Sequence, residues 1–96
     1  MPPIRWAQAA LREVTRLHDF LETKSCSAAM RAIQAIHQGI QILADHPEVG
    51  RPVEDMSPEF REWMIEFGEG AYVVLYRFDG KQVVLLAIRH GREGGY

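Results

Sequence analysis

The spacing of apolar residues along this chain changes twice, and each change marks a new kind of element. Ile4-Arg5-Trp6 alternates apolar, polar and apolar after two prolines, which predicts a short edge strand. From Ala7 onward, Leu11, Val14, Leu17 and Leu21 recur at intervals of three and four, separated by Arg12, Glu13, Arg16 and Asp19. That stripe predicts an amphipathic helix of about four turns. Thr23-Lys24-Ser25 interrupts it, and Ser25 or Ser27 is placed to cap a second helix by accepting from its free N–H groups. Met30, Ile33, Ile36, Ile40 and Leu43 form the second stripe. It should stop at Asp45-His46-Pro47, because proline disfavours helical geometry in the residue before it. Two helices so closely connected predict an antiparallel hairpin.

Glu48 to Glu59 reads as loop, punctuated by Gly50, Pro52 and Pro58. The period then falls to two. Trp63, Ile65 and Phe67 share one face of a strand, and Glu62, Met64 and Glu66 share the other. After Gly68-Glu69-Gly70, Tyr72, Val74, Tyr76 and Phe78 alternate with Val73, Leu75 and Arg77. Asp79-Gly80 predicts a tight hairpin of type I′, which needs positive φ at both central positions. Gln82 to His90 is a third strand, apolar on both faces, which places it centrally in a sheet. The expected fold is therefore α+β in the order β-α-α-β-β-β. An antiparallel sheet would carry the helical hairpin on one face and bury both stripes.

Ninety-six residues allow a single domain, residues 1–96, with a modest core. That size favours a surface site over a deep catalytic cavity. No apolar run approaches the roughly 20 residues that span a bilayer, and no signal pattern opens the chain. With Cys26 alone, no internal disulfide forms, and a cytoplasmic location with no membrane contact is expected. Cys26 itself is expected to be a small buried or half-buried thiol. The net charge of −2 argues against a general nucleic-acid binder, so no direct sequence-specific DNA binding is expected. The charge is unevenly placed: +2 over residues 1–43, −6 over 44–70 and +2 over 71–96. His18, His37, His46 and His90 lack the spacing of metal ligands, so neither a metal nor a cofactor is expected.

Several local sequences, in order, resemble the ParE/RelE superfamily of toxins from bacterial toxin–antitoxin pairs. They are the turn His46-Pro47-Glu48-Val49-Gly50-Arg51-Pro52, the strand sequences Phe60-Arg61-Glu62 and Tyr72-Val73-Val74-Leu75-Tyr76-Arg77, and the ending Val84 to Arg92 with Tyr96. The resemblance spans nearly the whole chain. It implies the same β-α-α-β-β-β fold, a cognate antitoxin as partner and one of two targets. ParE-like members inhibit DNA gyrase without acting as nucleases; RelE-like members cut messenger RNA in the ribosome.

Metal-free RNA cleavage needs groups that activate the 2′-OH, stabilise the phosphorane and protonate the leaving oxygen. Arg61, His90, Arg92 and Tyr96 are the candidates, His90 because its pKa can lie near neutrality. Arg92 and Tyr96 match the resemblance. Val73 stands where the nuclease branch has an arginine after the first tyrosine of Tyr-x-x-x-Tyr, and Glu62, Trp63 and Glu66 surround Arg61 in place of further cations. The favoured reading is accordingly a non-enzymatic, ParE-like gyrase inhibitor that contacts its target through Arg77, Arg89, Arg92 and Tyr96. The alternatives are a ribosome-dependent messenger-RNA endonuclease and a non-toxic remnant that still binds antitoxin. Phe20, off the first helical stripe, is the candidate antitoxin contact. A sheet edge is expected to accept an extended antitoxin segment.

Overall fold

A computed structural model describes residues 2–67 and 70–90. The chain runs β1 (Ile4–Trp6), α1 (Gln8–Glu22), α2 (Cys26–Asp45), β2 (Arg51–Pro52), β3 (Phe60–Phe67), β4 (Gly70–Phe78) and β5 (Val83–His90). One five-stranded sheet has the order β1-β5-β4-β3-β2, and the helical hairpin packs on one of its faces. Pairing is antiparallel from β2 to β5, as the alternation predicts. β1 joins β5 in parallel, so the sheet is mixed. The parallel pairing follows from the two helices, which carry the chain across the sheet and back between β1 and the meander.

Ser25 caps α2, its hydroxyl accepting from the Ala28 N–H at 3.2 Å. The helix ends at Asp45, just before His46-Pro47. Both apolar stripes are rotated slightly from the expected ones. Leu11 and Met30 are 50% and 57% exposed, while Ala10, Ala29 and Ala32 are buried. Small side chains let the helices approach each other and the sheet, and large neighbours one position along are turned outward. Gly39 serves the same end on α2. A Cβ there would lie 2.5 Å from Ile65 Cγ1, and the Trp63 indole donates to the Gly39 carbonyl at 3.0 Å. Cys26 opens α2 and is exposed, contrary to the buried thiol expected.

The Glu48–Glu59 segment is not all loop. Arg51 and Pro52 pair with Glu62 and Arg61 as β2. Gly80 has φ +92°, but Asp79 has negative φ, so the β4–β5 turn is not type I′. The Asp79 carboxylate instead accepts from the N–H groups of Lys81 and Gln82 at 2.9 and 3.0 Å. These bonds, with the nearby Arg77, hold its pKa below the ordinary carboxylate range.

The register explains why β5 is apolar on both faces. Leu75 pairs with Ala87 and Tyr76 with Leu85, so Leu86 is an extra residue in a β-bulge. The bulge shifts the alternation by one. Val83 and Leu85 before it, and Ile88 after it, all point into the core with Tyr72, Val74, Tyr76 and Ile65.

Candidate functional site

Because paired residues on adjacent strands project to the same side of a sheet, the register assigns each candidate side chain to a face. On the helix-covered face, one row reads Trp6, Leu85, Tyr76, Arg61 and another reads His90, Tyr72, Ile65. On the open face, one row reads Arg5, Val84, Arg77, Phe60. The next reads Ala87, Leu75, Glu62, Arg51, and a third reads Arg89, Val73, Met64. Arg61 and His90 therefore lie on the covered face, and Arg77 and Arg89 on the open one. Arg92 and Tyr96 lie outside the described residues.

Arg61 is built into a lock on the turn before β2. Its guanidinium donates to the carbonyls of Gly50 and Glu48 at 2.7 and 3.1 Å. Beside it the Tyr76 hydroxyl accepts from the Gly50 N–H at 2.9 Å and donates to the Pro47 carbonyl at 2.8 Å. Gly50 allows this closeness. A Cβ on it would lie 2.5 Å from the Tyr76 hydroxyl and 2.8 Å from the Glu62 carbonyl oxygen. Burial raises the Tyr76 pKa, against the lowering effects of the Gly50 N–H and of Arg61. The phenol stays neutral and can both donate and accept. The His46–Pro52 sequence is thus a structural tie between α2 and the sheet, and Arg61 is part of it.

His90 ends β5 with its ring edge-on to Tyr72, the centroids 5.6 Å apart, and Tyr72 stacks in turn on Phe67 at 6.1 Å. Burial raises the Tyr72 pKa as well. Tyr72 and Tyr76 are four residues apart on β4, and Arg61 and His90 lie beside them on the strands to either side, so about 13 Å along the strand and about 10 Å across two strand spacings separate the two by roughly 16 Å. These two nuclease candidates are not brought together.

The open face carries a different pattern. Val84, Leu75 and Ala87, each half-buried, form an apolar strip with Arg5 and Arg77 at one end and, past the buried Val73, Arg89 at the other. Val73, at the position where the nuclease branch carries arginine, is 4% exposed. Arg77 donates through Nε to Glu59 at 2.6 Å, with Asp79 at 4.0 Å. Arg51, exposed at the sheet's far edge, pairs with Glu62 at 2.5 Å. Arg5 and Arg51 belong to this surface although sequence reasoning did not select them. For Arg5 the signal was present: in Ile4-Arg5-Trp6 both neighbours are core residues, so the arginine must face away. Arg51 became visible only once β2 formed.

On the helical side, Phe20 is 55% exposed near the hairpin turn, with the Lys24 ammonium 4.7 Å from its ring centroid. Its ring is thus at the surface, with the ammonium of Lys24 over it. No cluster of metal-ligating side chains occurs among the described residues, and no helix among them is long and apolar enough to cross a membrane.

These features coincide with a known family. The profile described as the ParE toxin of type II toxin–antitoxin system, parDE, matches residues 4–94, and the chain belongs to this family. It is 36% identical over 93 residues to Toxin RelE3 of Caulobacter vibrioides, covering 97% of this chain and 98% of that protein. Toxin RelE1 of the same organism is 36% identical over 84 residues, covering 88% and 87% respectively. Among solved structures, one titled "Chromosomal ParDE TA system from P. aeruginosa" superposes with a TM-score of 0.75 over 94% of this chain and 96% of the other. At 20% identity that match speaks for the fold.

Proposed function

We propose that this chain is the toxin of a type II toxin–antitoxin pair, that it inhibits DNA gyrase by binding, and that a cognate antitoxin neutralises it. The observation that carries the choice of target is the placement of Arg61 and His90. Both lie on the helix-covered face roughly 16 Å apart, on the strands flanking β4, and the Arg61 guanidinium is committed to two backbone carbonyls of the turn. General acid–base cleavage needs its groups within hydrogen-bond reach of one phosphodiester. The open face, with an apolar strip and arginines at both ends, suits docking on a protein surface instead. Arg77 and Arg89 are the candidate contacts on it; Arg92 and Tyr96, the other two candidates, lie outside the described residues.

The titles of the relatives support the antitoxin: the superposed structure is of a ParDE system. The names RelE3 and RelE1 keep messenger-RNA cleavage as a second reading, in which Arg61, His90, Arg92 and Tyr96 would act. Expression of the chain without antitoxin separates the two. Gyrase poisoning should give filamentation and DNA-damage signalling, and the purified chain should inhibit gyrase supercoiling in vitro. Immediate arrest of translation, with transcripts cut at ribosomal A-site codons, would sink the gyrase reading. Absence of any growth arrest would leave only an antitoxin-binding remnant.

A further inference from the structure

β1 carries one arginine, and its neighbours hold it outward. Ile4 and Trp6 pack against the core on either side, so the Arg5 side chain projects from the open face and is exposed. The strand beneath it is pinned to β5 at both ends. The Val83 N–H donates to the Pro3 carbonyl at 2.9 Å, and the Ala7 N–H donates to the Leu85 carbonyl at 2.8 Å. An arginine mounted on so fixed a backbone has little main-chain freedom left to lose on binding.

The register puts four arginines on this face, Arg5, Arg51, Arg77 and Arg89, and they are not equivalent. Arg51 is paired with Glu62, Arg77 with Glu59 and Asp79, and Arg89 is half-buried. Arg5 makes no ion pair or side-chain hydrogen bond with any described residue. An incoming carboxylate can therefore reach its guanidinium without displacing an internal partner, and the planar fork suits bidentate pairing. Beside it in the row, one strand spacing or about 4.8 Å away, stands the half-buried Val84, with Arg77 beyond.

We propose that Arg5 is a recognition residue for the target: it pairs with a carboxylate on an acidic protein surface while an adjoining apolar side chain seats on Val84. This assignment rests on the reading of the chain as a binding inhibitor of gyrase and names the chemistry of the contact. Carboxylate is favoured over phosphate by what else stands on the face. Glu62 belongs to its middle row, and Glu59 and Asp79 flank Arg77, so an extended polyanion would meet three carboxylates. The apolar strip through Val84, Leu75 and Ala87 matches protein side chains and not a sugar–phosphate backbone.

The test measures inhibition of gyrase supercoiling by the full purified chain, with thermal unfolding of each variant as a check on the fold. Arg5→Gln should raise the half-inhibitory concentration at least about tenfold at low salt, and less at high salt, where the pair is screened. Arg5→Glu should raise it further. Arg5→Lys should raise it less, since it keeps the charge and loses the fork. All three should keep the wild-type Tm. Arg12 is exposed on α1, on the other side of the sheet, and is unpaired among the described residues. Arg12→Gln removes the same charge there and should leave inhibition within about twofold of wild type. Full inhibition by Arg5→Gln would overturn the role of Arg5 and leave the gyrase reading standing. An equal loss in Arg5→Gln and Arg12→Gln would overturn it too, because net charge and not a contact would then be responsible. Binding of the wild-type chain to DNA alone, abolished in Arg5→Gln, would overturn the carboxylate in favour of phosphate. A wild-type chain that leaves gyrase uninhibited would overturn the reading beneath the proposal, a result distinct from the other three.

Discussion

The two faces of the sheet use arginine in opposite ways. On the helix-covered face, Arg61 stands in a row with Trp6, Leu85 and Tyr76 and donates to two carbonyls of a turn. It does the work of a hydrogen-bonding strut. On the open face, Arg77 and Arg89 stand at the ends of an apolar strip, and Arg77 is held by the surface carboxylates of Glu59 and Asp79. The same residue type on the same sheet is structural on one side and, in the proposed reading, a contact group on the other. What separates them is which side of the strand each position occupies.

The contrast is tested most severely at Gly50. Gly50→Ala forces a methyl group into the Tyr76 hydroxyl and the Glu62 backbone, and should cost about 3 kcal/mol. Thermal unfolding would show it plainly, since each kcal/mol moves Tm by about 4–8 °C in a domain of this size. A shift of a degree or two would mean that the turn yields easily and is no lock. Tyr76→Phe keeps the shape but leaves the Gly50 N–H and the Pro47 carbonyl without this partner. A loss of about 2 kcal/mol in denaturant unfolding is expected.

Arg61 and Arg77 sharpen the comparison directly. Arg61→Met should cost about 1 kcal/mol and leave growth arrest in place once the loss of stability is allowed for, because its hydrogen bonds are to the protein itself. Arg77→Ala should change stability by less than about 1 kcal/mol, because its ion pairs are partly exposed. Combined with Arg89→Ala it should weaken target inhibition at least about tenfold, the size expected for losing charged contacts at an interface. If Arg61→Met abolished toxicity at unchanged stability while the open-face pair had no effect, the assignment of faces to roles would be reversed.

The smallest effect is expected at the β4–β5 turn. The Asp79 pKa is lowered by the Gln82 and Lys81 N–H groups, so in the window between its folded and unfolded values the unfolded chain binds more protons. Its contribution is complete above the ordinary carboxylate range, near pH 4, and disappears as pH falls through the lowered value. Exchange of the Lys81 and Gln82 amides should therefore accelerate in acid in the wild type. Asp79→Asn should flatten that dependence, and an identical acid profile in the variant would remove the carboxylate from the account.

Periodicity alone determined most of the architecture. The switch from spacings of three and four to a spacing of two placed both helices and the three long strands, local residue types added the stop before Pro47 and a cap at Ser25 or Ser27, and the structure chose Ser25. These are local choices, settled within a few residues by hydrogen-bonding geometry and by which face must be buried. The alternation Ile4-Arg5-Trp6 also contained the facing of Arg5, and the run of apolar residues in β5 contained its central position. Large side chains were easier to read than small ones. Leu11 and Met30 looked like core, whereas Ala10, Ala29, Ala32 and Gly39 make the close approaches.

Tertiary structure decided what each charged residue is for. The bulge at Leu86 reverses the facing of everything after it in β5, and so sends His90 to the covered face and Arg89 to the open one. No local sequence signal announces that bulge. Arg61 became a strut only when the His46–Pro52 turn folded back over β3 and β4 to present its carbonyls, bringing together residues 11 and 26 positions apart. β2 likewise exists only through pairing at a distance. A strand's own alternation says that its two faces differ. The partners it meets decide which face is sealed under the helices, which is not, and on which of the two each arginine stands.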